Sequence, residues 1–367
     1  MDTASTLSSP PDAAQELLQL RARAADVLDI AGSESDAQGE TIQFSGRLRV
    51  ASGDAFSRLK RMFGEVGFFP LLRDGPSAGE SIIVAVRGSL TQSAAGRAWV
   101  NALLFGVTLF TVTLGGGSTL SMMRGDDAPT WQNVLANGIP FAIGLMLILG
   151  AHEFGHYLQA RRHGLPASLP FFIPMPFGLG TLGAFVRMRG AVENKRALFD
   201  VAVGGPIAGL LVAIPMFIGA ILEPALSGQP LPNTRSLLAE GLIGLFRPEA
   251  SLLGIEVTPL LFAARIGLVL TAMNLLPLGQ LDGGLIAYAA LGRRRAYWLG
   301  WAVLIGLCGI AVVTRSSIWV IWIAFALLSG ASQATPLDDV TPLDHRRNVA
   351  FLATTALLLT LFTARPF

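Results

Sequence analysis

LILGAHEFGHYLQARRHG, residues Leu147–Gly164, closes a long apolar run and places His152, Glu153 and His156 inside it. An ionisable side chain in hydrocarbon costs about 3 kcal/mol or more, so a chain that keeps three together there has a use for them. The apolar run predicts a helix in lipid. On a helix, residues four apart share one face with Cβ atoms about 5–6 Å apart. His152 and His156 can therefore present ring nitrogens to one metal ion. Glu153 lies about 100° further round, too far to ligate but within reach of a water held at that metal, where it would serve as general base. The spacing is that of zinc hydrolases.

Composition says that this apolar run is not isolated. Of 367 residues, 52% are hydrophobic and only 14% are charged, against about 25% charged in soluble domains. That deficit points to a polytopic α-helical membrane protein. A net charge of +2 gives no basis for a nucleic-acid partner. The cations are almost all arginine, Lys60 and Lys195 being the only lysines, which reflects genome composition rather than chemistry. A single cysteine, Cys308, excludes an intramolecular disulfide and a cysteine-based metal site.

The first 90 residues contain no long apolar segment, and MDTASTLSSPPDAAQELLQL has neither the basic start nor the greasy core of a secretory signal. The N-terminus is expected in the cytoplasm. Residues 1–40 read as a polar, partly mobile segment with one helical stretch. TIQFSGRLRV and SIIVAVRG alternate as strands, and SGDAFSRLKRMFGEVG between them is amphipathic at the helical period. A small α+β cytoplasmic domain is expected over 41–92, too short for more than a modest core.

The membrane part is expected over 97–367. About 20 apolar residues cross a bilayer, and seven stretches qualify as expected spans: 97–115, 138–160, 201–222, 258–278, 296–314, 316–334 and 348–364. The fourth carries Pro277 and runs into GQLDGG, so it should be broken there. SLLAEGLIGLF, within 223–257, is too short to span. Arginines cluster at 161–162, 187–196, 293–295 and 346–347. These alternate loops share one side, which the positive-inside rule assigns to the cytoplasm.

A catalytic zinc takes three protein ligands and leaves a fourth position open. His163, in ARRHG, and His345, in PLDHRR, read as solvated residues. Among the acids near apolar segments, Glu223 falls on the opposite side by this topology. Asp200 and Asp282 both remain. Asp282 has the better context, NLLPLGQLDGG (Asn274–Gly284), because a broken helix in a membrane is tolerated where it lines a polar cavity.

HEFGH on one apolar segment, GGPIAG on the next and NLLPLGQLDGG on a third resemble, in that order, the core motifs of the site-2 protease family of membrane-embedded zinc metalloproteases. The likeness spans roughly 138–290 and is closest to the bacterial and plastid branch without a PDZ domain. The resemblance implies one zinc ion per chain held by His152, His156 and Asp282, with Glu153 as catalytic base. It implies a helper role for Asn274, positioning the substrate backbone or its oxyanion. That branch often carries His after Asp-Gly-Gly, where this chain has Leu285. The implied activity is zinc metalloendopeptidase action on transmembrane protein substrates in a lipid bilayer, in regulated intramembrane proteolysis. A bacterial inner membrane is the preferred home and a plastid membrane the second.

Gly205 and Gly209 in GGPIAG form a close-packing helix face, read here as scaffold behind the site. LPFFIPMPFGLGTLGAFVRMRG, with its hairpin near 180–190, is either a strand edge that pairs with unwound substrate or a structural surface hairpin. A serine nucleophile at Ser118 has no histidine on another span as its base, and the acids of RGDD at 124–127 lack a partner inside a neighbouring span. A metal-binding transporter or channel would explain intramembrane ionisable groups but gives no reason for Glu153. The full ligand set argues against an inactive pseudoprotease.

Overall fold

The computed structural model describes residues 10–36, 40–88, 97–125, 128–223, 236–248, 257–315, 317–328 and 335–364. Two compact units divide the chain. The first comprises residues up to Ser93 with Gly190–Lys195 and Thr335–Pro342; the second is the remainder.

In the first unit four antiparallel strands, β1 (Leu28–Ser35), β2 (Thr41–Leu48), β3 (Phe68–Asp74) and β4 (Ser81–Arg87), pair in the order β1-β2-β4-β3. β2 and β4 alternate buried and half-buried residues as their sequences predict. Helices α1 (Pro10–Ala25) and α2 (Ser52–Gly64) supply Leu20, Phe56, Leu59 and Phe63 to a core shared with Phe44, Phe68, Leu72 and Ile83. The unit therefore begins before residue 41, the boundary expected from alternation. The earlier strand escaped notice because LDIAGSES is an edge strand with a single fully buried position, Leu28, and a bulge between Ile30 and Gly32. The far edge, β3, is covered: the Leu72 N–H donates to the Leu337 carbonyl at 2.8 Å, and the Leu337 N–H donates to Val192 at 2.8 Å. Segments 190–195 and 335–342, which lead into two helices of the second unit, thus belong to this sheet. Covering the edge removes a template for aggregation.

In the second unit α3 (Ala98–Met123), α4 (Trp131–Arg162), α5 (Lys195–Leu222) and α9 (Arg293–Thr314) run 26, 32, 28 and 22 residues and are long and apolar enough to cross a membrane. α6 (Leu237–Phe246) and α7 (Pro259–Asn274) are apolar but shorter, and the described residues of the unit also form α8 (Asp282–Leu291), α10 (Ser317–Leu328) and α11 (His345–Leu361). Among the described residues four helices have spanning length, where seven spans are expected. The discrepancy is clearest at 258–278, where apolar residues continue but the helix stops at Asn274: Pro277 disfavours helical geometry at the residue before it, and Gly279 turns the chain at φ +48°. Residues 316 and 329–334 of the sixth expected span lie outside the described residues. Pro206 and Pro215 sit inside α5 without ending it.

Between α4 and α5 the chain forms a hairpin of β5 (Phe171–Pro174) and β6 (Thr181–Phe185). β5 lies along α3, and Asn101 of α3 fastens its start by donating to the Leu169 and Pro170 carbonyls at 3.0 and 2.9 Å. Among the described residues no third strand pairs with β6.

Candidate metal centre

His152, Glu153 and His156 lie in the last third of α4, and His152 and Glu153 are each only 5% exposed. Asp282 is the first residue of α8. Its approach is set by the break after α7: Leu275–Leu281 fold back in tight turns, and Gly283 brings the start of α8 against the Leu275 carbonyl. A Cβ on Gly283 would sit 1.9 Å from that oxygen. The broken helix therefore needs glycine there to aim its carboxylate.

His152 Nε2 stands 3.2 Å from Asp282 Oδ2, and His156 Nε2 stands 3.3 Å from Asp282 Oδ1. Ligand atoms of the three residues all lie within 4.8 Å of one another. Zinc–nitrogen and zinc–oxygen bonds of about 2.0–2.2 Å at tetrahedral angles put neighbouring ligand atoms about 3.3 Å apart. The donor set and its spacing thus fit zinc. The other nitrogen of His156, Nδ1, is 2.8 Å from the Val201 carbonyl. Donating there fixes the tautomer and leaves Nε2 free to ligate, the usual arrangement of metal-binding histidines.

The helix carrying GGPIAG does more than pack behind this group. A Cβ on Gly205 would lie 2.2 Å from His156 Nε2, and one on Gly209 would lie 3.3 Å from His152. Both glycines face the ligand rings themselves. Glycine spacing signals close packing in a sequence; it does not say that the packed partner is an imidazole.

The Val186 backbone, in the residue after β6, lies beside Glu153. Its carboxylate therefore adjoins the hairpin, a contact with no local signal in the sequence. The Asn274 amide lies 3.3 Å from His152 Nε2 at the end of α7. The structure brings these five residues together: His152, Glu153, His156, Asn274 and Asp282.

The other candidates lie elsewhere. Asp200 is engaged by His163 Nε2 at 2.8 Å and by Arg347 at 2.8 and 2.5 Å. His163, expected to be solvated, is thus half-buried and paired, while His345 is exposed at the start of α11. Glu223 follows the last residue of α5, about 21 Å along the helix from Gly209. Asp126 and Asp127 of RGDD lie outside the described residues. Ser118 lies within α3, and Leu285 stands where the family often has histidine.

Residues 140–308 match peptidase family M50. The chain is 28% identical over 342 residues to the rice (Oryza sativa subsp. indica) protein named probable zinc metalloprotease EGY2, chloroplastic, covering 89% of this chain and 61% of that one. It is 27% identical over 369 residues to the Arabidopsis thaliana probable zinc metalloprotease EGY1, chloroplastic, covering 89% and 66%. To the Arabidopsis probable zinc metallopeptidase EGY3, chloroplastic, it is 30% identical over 270 residues, covering 68% and 46%. The chain thus spans about three fifths of the length of the first of these relatives. No solved structure matches it significantly. A bacterial inner membrane gains no support from relatives named chloroplastic. The match places the helix of the two histidines, the glycine-rich helix and the Asp282 turn within one known domain: residues 140–308 form a domain of peptidase family M50, the site-2 protease family.

Proposed function

We propose that this chain is a zinc metalloprotease that hydrolyses peptide bonds within or near transmembrane segments of other membrane proteins. The observation that carries the proposal is the convergence of His152, His156 and Asp282, with Glu153 beside them, at the end of a helix long enough to span a membrane. Zinc, when bound by the three, polarises the scissile carbonyl and acidifies a water. Glu153 takes the proton of that water as it attacks and delivers it to the leaving amine. Its carboxylate adjoins the Val186 backbone on the hairpin side. Asn274, next to His152, is placed to steady the substrate backbone or its oxyanion.

A helical peptide bond is wrapped in its own hydrogen bonds, so a spanning substrate must unwind before it is cut. The β6 edge, without a third strand among the described residues and packed beside α4, offers main-chain partners to an unwound stretch. Release of a fragment from the membrane, as in regulated proteolysis, is the biological role that follows from such a cut.

Cleavage of a labelled transmembrane peptide by the purified chain, with Glu153→Gln and chelated samples alongside, tests the proposal. Wild type should cut, chelation should abolish cutting, and Glu153→Gln should keep its zinc while losing about 100- to 10,000-fold in rate. A Glu153→Gln variant that cuts as fast as wild type refutes the mechanism. A wild type inert toward many spans yet moving ions or solutes replaces it with a transporter.

A further inference from the structure

α4 carries a second set of residues about 90° round from the histidines. Gly155, Leu158 and Arg162 of this face line a cavity of about 550 Å³ bounded by α5 and the start of α11. The wall is apolar: Leu158 on α4 and Val203, Ile207 and Leu211 on α5, with Ile207 and Leu211 46% and 72% exposed. At its floor the two helices touch through backbone, since a Cβ on Gly155 would lie 2.3 Å from the Gly204 carbonyl oxygen. The opposite end is charged by Arg162, Asp200, Asp344, Arg346 and Arg347.

These charges do not cancel. Arg347 bonds both Asp200 and Asp344, and Asp200 also takes His163. Both acids are thereby hydrogen-bonded within the network, and the three arginines of this end exceed them by one charge. Arg162 and Arg346 are exposed and have no acidic partner among the described residues, so two guanidinium groups without an ion pair stand at the mouth of an apolar groove. From Asp200 to Leu211 the groove runs eleven residues of α5, about 16 Å, close to the thickness of one leaflet, about 15 Å.

We propose that this groove binds one anionic phospholipid, its phosphate between Arg162 and Arg346 and one acyl chain along Ile207 and Leu211. Charge and shape choose this occupant together. A soluble anion leaves the apolar wall wet, a zwitterionic lipid brings a cation of its own to an end that is already net positive, and basic pockets between membrane helices are recognised hosts of acidic head groups. The proposal rests on the membrane reading given above. The bound lipid would sit beside the α4–α5 crossing, on whose other face His156 meets Gly205.

The test is native mass spectrometry of the full chain released from nanodiscs containing phosphatidylglycerol or phosphatidylcholine. Wild type should retain one phosphatidylglycerol per chain and shed phosphatidylcholine. The double variant Arg162→Gln/Arg346→Gln should bind phosphatidylglycerol about 30-fold more weakly, the effect of two interfacial arginines, while Arg293→Gln/Arg294→Gln, in another basic cluster, should bind as wild type does. Ile207→Trp, which fills the apolar wall and leaves both arginines, should lower retention without touching the charges. Equal retention of both lipids by wild type overturns the site, as does unchanged retention by the double variant or displacement of the lipid by millimolar inorganic phosphate. Zinc content and cutting of a spanning peptide are read in the same samples. A chain that cuts but holds no phosphatidylglycerol sinks this site alone, one that holds the lipid but never cuts sinks the protease reading alone, and a chain that stays soluble without detergent sinks both.

Discussion

Gly205→Ala separates a glycine that packs helices from one that makes room for a metal ligand. A Cβ at position 205 would lie 2.2 Å from His156 Nε2, 2.4 Å from Cε1 and 2.6 Å from Cδ2. Non-bonded carbons settle at about 3.5–4.0 Å, so ring or helix must retreat by roughly 1.2 Å. Metal-ligand distances hold to about ±0.2 Å, and a retreat of that size takes His156 Nε2 out of the shared site. If α5 moves instead, the Val201 carbonyl that orients His156 Nδ1 at 2.8 Å moves with it. Loss of such an orienting partner alone weakens metal binding about 10- to 100-fold. Displacement of the ligand adds to that, so zinc affinity should fall by more than about 100-fold. Helix propensity works the other way, since alanine favours a helix over glycine by about 1 kcal/mol; weaker zinc cannot be blamed on a weaker α5.

Gly209→Ala is the graded control. Its Cβ would lie 3.3 Å from the Cβ and Nδ1 of His152, a contact relieved by a few tenths of an ångström, so its zinc affinity should fall no more than about tenfold. Zinc competition against a chromophoric chelator gives the Kd for each variant, and circular dichroism with thermal melts reports whether the helices persist. A Gly205→Ala chain that folds and binds zinc as wild type does would refute the steric argument. So would a Gly209→Ala chain that loses as much as Gly205→Ala.

Two further substitutions test the assignment of the acids. Asp282→Asn should weaken zinc by more than about 100-fold, beyond the effect of outer hydrogen-bonding partners, whereas Asp200→Asn should leave zinc unchanged and lower stability by about 2 kcal/mol through its bonds to Arg347; metal analysis beside thermal melts distinguishes the two. Asp344 caps α11 by accepting from the Arg347 N–H at 2.9 Å, and that bond, ahead of its ion pair with Arg347, holds its carboxyl below the ordinary carboxylate range. Asp344→Ala should cost about 1 kcal/mol at neutral pH. Because the folded value is depressed, the stability Asp344 contributes is present above the unfolded value of about 3.9 and is lost as pH falls through the folded one. Melts of wild type and variant should therefore converge only in strong acid.

What the sequence discloses of this site is what is local. His152, Glu153 and His156 are legible because the helical period alone puts two of them on one face. The break near Asp282 is legible because Pro277 and Gly279 act on their own backbone. The choice between Asp200 and Asp282 needs tertiary structure: Asp200 is claimed by His163, 37 residues before it, and by Arg347, 147 residues after. The Val186 contact with Glu153 is equally non-local. Hydropathy registers apolar content and not where a helix stops, and at 258–278 the apolar residues outlast the helix. β1 shows almost no alternation because it is an edge strand with a single buried residue, Leu28.

The depth of the site fixes where a substrate can be cut. His156 and Glu153 precede Arg162, the last residue of α4, by six and nine residues, which is about 9 and 14 Å along the helix. Arg161 and Arg162 mark where the helix meets water, and the hydrocarbon of one leaflet is about 15 Å thick. On the proposed intramembrane reading, the cutting groups would lie within the leaflet nearest those arginines and short of the midplane. A substrate helix standing in the same membrane should be cut within about nine residues of its own boundary on that side, since each helical residue advances 1.5 Å. Unwinding toward the β6 edge stretches the chain to about 3.3 Å per residue, which brings the cut closer to the boundary, not deeper. Mass spectrometry of the products from a spanning peptide would locate the bond. Leucines inserted between the bond and that boundary should shift the cut to a new bond at the old depth. Cleavage that follows the original bond past the midplane would mean that sequence, not depth, selects it, and that the metal reaches further into the membrane than α4 allows.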